Sequence, residues 1–243
     1  LERRRRVRVM YGQRAWGTFS IVACDPEKLY WGAAVSTKPL AVGAVVPWAE
    51  WRVGAVATQA MSNYQYGPEG LALLRKGISA SEVVARLTRA DPKRERRQLG
   101  VVDRHGRAAA WTGKKCHASA SHVTGEGFSC QGNLLASDRV VPAMASAFES
   151  TRGSLAQRML AALRAGAGEG GDRRGIESAA LLVVHRRPWF ERAWGDQWLN
   201  LRVDQHRHPI TELARVVALE EANARKLVAW HAARLRKRRS KSP

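Results

Sequence analysis

Thr18 follows Gly17 in RAWGTFSIVACD, at the head of an alternating run. A threonine that begins a chain can use its own α-amine as the base for its hydroxyl. That amine titrates near neutrality, so it can accept the hydroxyl proton at pH 7. The chemistry needs a free amine, a polar or cationic neighbour to tune it, donors for the oxyanion and a groove for substrate. A bare Gly-Thr pair also reads as a β-branched residue opening a strand.

Three further constellations offer chemistry, and each has a plainer reading. GAGEGG, from Gly166 to Gly171, matches G-x-G-x-x-G, but the dinucleotide fingerprint needs a strand before it and a helix after it. Here a helix precedes the glycines, which read as a cap and a loop. GFSCQG puts Ser129 in a near nucleophile elbow that is one residue too long, with no His and Asp nominated as partners. Asp204, His206 and His208 form D-x-H-x-H, which on a strand would face one side and could meet a metal. The stretch runs into Pro209, so a polar loop capping a helix is the better reading. Cys24, Cys116 and Cys130 are too few and too scattered for a disulfide framework or a zinc site. No cofactor and no metal are expected.

The elements that would position these residues follow from periodicity. TFSIVACD alternates as a half-buried strand, with Thr18, Ser20 and Val22 on one face. LYWGAAVSTK returns after Asp25-Pro26 as its hairpin partner, and AVGAVVPWA and WRVGAVATQA read as two further strands, the first limited by Pro47. Gly67-Pro68 marks a turn before the helix GLALLRKG. Ser79 or Ser81 caps the helix SASEVVARLTRA, which Asp91-Pro92 stops. RQLGVVD and RAAAWTG form a hairpin, and GFSCQGN is another short extended piece. Helices follow over Asp138–Glu149 and Ser154–Ala165, then the strands ESAALLVVH and QWLNLRVD. A last helix opens at Pro209 and runs into a basic tail. Blocks of strands and helices suit layered sheets with helices outside, not a doubly wound parallel sheet.

At 243 residues, with 45% hydrophobic and 26% charged composition, the chain reads as one soluble domain. The net charge of +20 is concentrated at the ends: residues 1–17 hold +5 and residues 225–243 hold +8. Basic ends contact polyanions nonspecifically through counterion release, or are simply solvated. The expected organisation is therefore a basic extension over 1–17, a domain over 18–224 and a basic tail over 225–243. The extension is expected to be removed or to be a start-site artefact. No run approaches ~20 apolar residues, so no membrane span is expected. The Arg-rich start lacks the apolar region of a signal peptide, because Gln13 and Arg14 interrupt it, and a cytoplasmic location is expected.

Ordered blocks then carry a resemblance. TFSIVACDPE, LAVGAVVPWA, VGAVATQAMSNYQYGPEGLALLRKG, RQLGVVD, HVTGEGFSCQGN, GDRRGIESAALLVV and LRVDQHRHPITEL are similar, in that order, to the domain-of-unknown-function family 1028. The resemblance spans about residues 18–219. It implies an N-terminal-nucleophile (Ntn) hydrolase-like fold, an α+β four-layer αββα sandwich of two antiparallel sheets flanked by helices. It also implies that Thr18 is the nucleophile in hydrolysis of an amide or related C–N bond through an acyl-threonine. Thr37 and Lys38 fall where the family has a Ser-Lys or Ser-His pair, with Lys38 suited to tune the amine. Gln131 and Asn133 match a Q-x-N after a glycine loop and would donate to the oxyanion. Asp172, Arg174 and Ser178 match GD-x-RG-x-x-S, where the Arg would orient a substrate carboxylate or pin the loop. Gln59, Asn63 and Tyr66 lie in the ATQ…YGP block and would border a groove. Three features depart from the pattern: Thr37 for the usual Ser, Glu177 for the usual Gln, and the residues before Thr18.

Two readings follow. One is an Ntn-type amidohydrolase acting on a small-molecule amide once the Gly17–Thr18 bond is opened. The other is a non-catalytic scaffold of the same fold whose basic tails bind nucleic acid or another anionic partner. A homo-oligomer is compatible with both.

Overall fold

The computed structural model describes residues 17–185 and 197–239. The expectations about residues 1–16 lie outside the described residues. The chain opens with a hairpin of β1 (Thr18–Asp25) and β2 (Tyr30–Thr37), followed by β3 (Pro47–Glu50) and β4 (Gly54–Ala60). Two helices, α1 (Tyr66–Arg75) and α2 (Ala80–Ala90), lead to β5 (Arg97–Asp103), β6 (Ala108–Thr112), β7 (Ser121–Gly125) and β8 (Phe128–Asn133). A second helix pair, α3 (Val140–Ser150) and α4 (Leu155–Gly168), precedes β9 (Ser178–Val184), β10 (Gln197–Val203) and the long α5 (Pro209–Arg239).

These elements form two antiparallel sheets. One has six strands in the order β10-β9-β2-β1-β8-β7, and the other has four in the order β3-β4-β5-β6. Three apolar clusters separate four layers. Phe19, Ile21 and Ala23 on one face of β1 pack with Met144, Phe148, Met159 and Leu163 of α3 and α4. Val22 and Cys24 on the other face pack between the sheets with Trp31, Ala57 and Val102. Val56, Leu99 and Val101 on the far side of the four-stranded sheet meet Leu74, Val83 and Leu87 of α1 and α2. The fold is thus the α+β αββα sandwich. Alternation along β1 serves both layers at once, so every residue from Thr18 to Cys24 is buried.

Helix ends follow local chemistry. The Ser79 hydroxyl accepts from the Glu82 N–H at the start of α2, and Ser154 with Gln157 forms a full capping box on α4. Two local expectations are corrected. AVGAVVPWA is not one strand: Ala41 takes a left-handed φ of 57°, Val42–Ala44 form a 3-10 turn that buries Val42, and the strand starts only at Pro47. It lies at the sheet edge, where the missing proline N–H costs no ladder bond. Gly67-Pro68 is not a turn before α1 but part of its first helical turn, where a proline nitrogen has no bond to lose. Gly67 is needed there because a Cβ would meet the Trp48 ring at 2.3 Å. No helix among the described residues is long and apolar enough to cross a membrane.

Candidate active site

Ser178, Thr37, Thr18 and Asn133 are ladder partners across β9, β2, β1 and β8. Alternation turns all four toward the four-stranded sheet, and none is more than 5% exposed. Directly opposed residues of an antiparallel pair have Cβ atoms about 5 Å apart, so this row is a continuous polar strip.

Beside the strip lies the backbone carbonyl of Gly17. It accepts from the Thr18 hydroxyl at 2.6 Å, from the Thr37 hydroxyl, and from Arg174 Nη2 at 3.0 Å. The two threonine hydroxyls are 3.2 Å apart. Arg174 is held in turn by Asp172, whose side chain is fully buried. Its backbone N–H and Nε donate to Asp172 Oδ1, both at 3.0 Å, and Nη2 donates to Oδ2 at 2.7 Å. The Lys38 backbone N–H adds a bond to Oδ2 at 3.0 Å. The guanidinium fork matches the buried carboxylate in a bidentate fashion. Lys38 Nζ pairs with Glu177 at the half-exposed rim. The glutamate that departs from the family pattern therefore pairs with the lysine that directly follows β2. Ser178 fastens the loop after β2: its hydroxyl donates to the Pro39 carbonyl at 2.6 Å and accepts from the Val42 N–H at 3.3 Å.

Behind the strip, side-chain amides bridge the two sheets. The Ser20 hydroxyl donates to Gln59 Oε1 at 2.6 Å and accepts from Gln131 Nε2 at 2.6 Å. Gln59 Nε2 lies 2.7 Å from Gln98 Oε1 and 3.3 Å from the Thr18 carbonyl. Gln98 Nε2 donates to the Gly132 carbonyl at 2.8 Å, and Asn133 Nδ2 donates to Gln98 Oε1 at 3.0 Å. Gly100 makes room for this layer, because a Cβ there would meet Gln131 Oε1 at 2.2 Å. Gln131 pairs with Ser20 in the ladder, one row inward from Thr18, and both ends of its amide are engaged. Asn133 stands directly across from Thr18, and its buried Oδ1 has no partner among the described residues.

Asn63 and Tyr66 gather elsewhere, at Asp91. Asn63 Nδ2, the Tyr66 hydroxyl and Arg97 Nε donate to Asp91 Oδ2 at 3.2, 3.0 and 2.9 Å. Burial pushes the Asp91 carboxyl up, but the Lys93 N–H, Arg97 and Tyr66 outweigh it and hold the group below its ordinary value. Burial and the same carboxylate push the Tyr66 hydroxyl up. The remaining constellations are quiet. Ser129 lies inside β8 and donates to Gln131 at 2.8 Å, and His206 Nδ1 accepts from the His208 N–H at 2.9 Å in the loop before α5. Gly170 and Gly171 take positive φ after α4, as a loop. Cys24, Cys116 and Cys130 are free thiols, and burial pushes Cys24 up to about 12 and Cys116 up to about 11.

Sequence reasoning did not nominate Gln98 or the Gly17 carbonyl. The available signal for Gln98 was a glutamine on the core-facing side of RQLGVVD. The grip on the Gly17 carbonyl joins residues that are far apart in sequence, Thr37 and Arg174, and has no local signature. A cavity of about 590 Å³ lies at the opposite end of β1, beside Asp25, Tyr30, Val183, Trp198 and α5. Its acidic groups are already paired, Asp25 with Lys28 and Glu221 with Ser154 and Gln157.

Comparison with known proteins agrees with the blocks read from the sequence. The family model described as a family of unknown function, DUF1028, matches residues 18–213. The chain is similar to the crystal structure of protein SPO2555 from Silicibacter pomeroyi, described with the same family model. Identity is 35% and the TM-score 0.74, covering 83% of this chain and 88% of that one. No curated protein matches. The chain belongs to the DUF1028 family.

Proposed function

We propose that the protein is an N-terminal-nucleophile amidohydrolase whose nucleophile is Thr18, and that the Gly17–Thr18 bond is its first substrate. The observation that carries this reading is the grip on the Gly17 carbonyl by the Thr37 hydroxyl and Arg174 Nη2, with the Thr18 hydroxyl 2.6 Å from the same oxygen. Donors aimed at a carbonyl oxygen stabilise the charge that develops there when a nucleophile adds to its carbon. Thr18 Oγ adds to the Gly17 carbonyl carbon, the hydroxyl proton passes to the nitrogen as the C–N bond breaks, and the acyl group is left on Oγ with the nitrogen as a free amine. Water then cleaves the ester, releasing a carboxylate at Gly17 and a chain that begins at Thr18.

In that chain the α-amine takes the Thr18 hydroxyl proton as Oγ attacks a small amide, and passes it to the departing amine. Water hydrolyses the resulting acyl-threonine and restores the hydroxyl. Arg174, held by Asp172, and Thr37 are the oxyanion donors. Asn133 Oδ1, buried and without a described partner, is an acceptor for an amine hydrogen. Lys38 disfavours the protonated amine, an effect that Glu177 weakens. Gln59 and Gln131 support the strip from behind. The αββα sandwich and the family resemblance favour the same chemistry. The test is a panel of small amides offered to protein with Thr18 at its N-terminus, with the acyl-threonine sought as a mass adduct. An adduct or turnover lost in Thr18→Ala is expected. Turnover retained by Thr18→Ala sinks the assignment.

A second reading rests on α5, which continues as one helix to Arg239 and whose residues from Arg225 onward are rich in arginine and lysine. Such a helix would bind nucleic acid or another polyanion nonspecifically, with steep salt dependence. Binding to duplex DNA at low salt, lost on deletion of residues 225–243, is the expected result. Binding that survives the deletion excludes the tail.

A further inference from the structure

The space around Gly17 leaves no room for a side chain. A Cβ built on it would lie 2.7 Å from Asp172 Oδ1, 2.9 Å from Asp172 Cγ and 2.9 Å from Leu134 Cβ. Carbon atoms do not approach neighbours that closely, and none of these neighbours is free to yield. Asp172 is fixed by three bonds from Arg174 and one from the Lys38 N–H. Leu134 meets Gly17 through its Cβ, the part of a side chain that no rotamer change can move. It sits at a left-handed φ of 52°, a costly conformation for leucine, between β8 and the loop bridged to Asp172.

We infer that the site selects acyl groups whose carbon next to the carbonyl bears no side chain: glycyl, peptidyl-glycyl, acetyl and straight-chain acyl amides. This rests on the hydrolase reading and names its substrate class. The Gly17 carbonyl occupies the oxyanion donors, so the Gly17 α-carbon marks where the first carbon of any acyl group must sit. The group that closes this slot is the carboxylate that orients Arg174. Selectivity and oxyanion stabilisation therefore share one side chain, and widening the slot at Asp172 would disturb both. Leu134 is the separable wall. Leu134→Gly removes the obstructing Cβ and suits the positive φ.

The test follows full-length wild type, Gly17→Ala and Gly17→Ala with Leu134→Gly by intact mass, with circular dichroism confirming that each is folded. Wild type is expected to lose residues 1–17, Gly17→Ala to do so at least about tenfold more slowly, and the double variant to recover part of the rate. In parallel, protein with Thr18 as its first residue is given glycyl-, acetyl- and L-alanyl-4-nitroanilide. The expected preference for glycyl and acetyl over L-alanyl is at least about tenfold, narrowing in Leu134→Gly. Equal rates for L-alanyl and glycyl, or Gly17→Ala cutting as fast as wild type, overturn the selectivity and leave the hydrolase standing. No cut in wild type together with no turnover of any of the three overturns both.

Discussion

The space between the two sheets holds two unlike regions along the same strand. From Val22 to Cys24, β1 faces Trp31, Ala57, Val102 and Leu182 in an apolar cluster. From Thr18 to Ser20 it faces Gln59, Gln98, Gln131 and Asn133, all fully buried. Burying amides brings no advantage in folding over well-packed apolar side chains and becomes costly when any partner is missing. A sequence selected only to fold would extend the apolar cluster to the end of the strand. Where a chain breaks a local rule, function is the usual reason. The break here is confined to the end where the Gly17 carbonyl is gripped. A separate cavity of about 590 Å³ beside Asp25 lies at the apolar end, seven residues along the strand from Thr18, about 23 Å.

Substitutions in the two regions should therefore separate chemistry from stability. The largest effect is expected for Thr18→Ala. It should reduce cleavage and amide hydrolysis by at least about 1,000-fold while leaving the urea midpoint close to wild type. Val22→Ala, two rows away on the same face, should do the opposite, costing about 2 kcal/mol in urea unfolding with the rate retained. Next comes Arg174→Ala, expected to slow the reaction about 100-fold by removing a donor to the carbonyl. A rate unchanged by Arg174→Ala would mean that the grip on Gly17 is structural only. Gln131→Leu should fall between the regions, since it takes the acceptor from the Ser129 hydroxyl and the donor from Ser20, which keeps its bond to Gln59. A loss of about 2 kcal/mol is expected, with a smaller rate effect than Arg174→Ala. The smallest effect belongs to Glu177→Gln. It leaves Lys38 unneutralised, which disfavours the protonated Thr18 amine. The base is then available at lower pH, and the acid limb of the pH–rate profile moves down. A shift upward, or none, would remove Lys38 from the chemistry.

Most of the individual elements were legible because they are written locally, whereas the four-layer arrangement came only through the family resemblance. The period-two run from Thr18, the Ser79 cap and the Asp91-Pro92 stop each fix an element through a few adjacent residues. The errors fell where packing overrides local signals. AVGAVVPWA has strand-like composition, yet Val42 is drawn under the sheet by a 3-10 turn, and Gly67-Pro68 has turn composition yet fits the first turn of a helix against Trp48. β7 is short, exposed at alternate residues and at a sheet edge, so SHVTG carries little apolar signal. The site divides in the same way. Thr18 could be nominated from its place at the head of a strand, and its ladder neighbours Thr37 and Asn133 only through the family resemblance. The grip on the Gly17 carbonyl could not, because it depends on Asp172 and Arg174 arriving from a loop more than 150 residues away.

The most direct test is the mass of the chain itself. Wild-type protein expressed from Leu1, purified and incubated at neutral pH, should lose residues 1–17 and begin at Thr18, while the Thr18→Ala variant keeps residues 1–17 attached. A wild-type chain that retains its Gly17–Thr18 bond under those conditions contradicts the account.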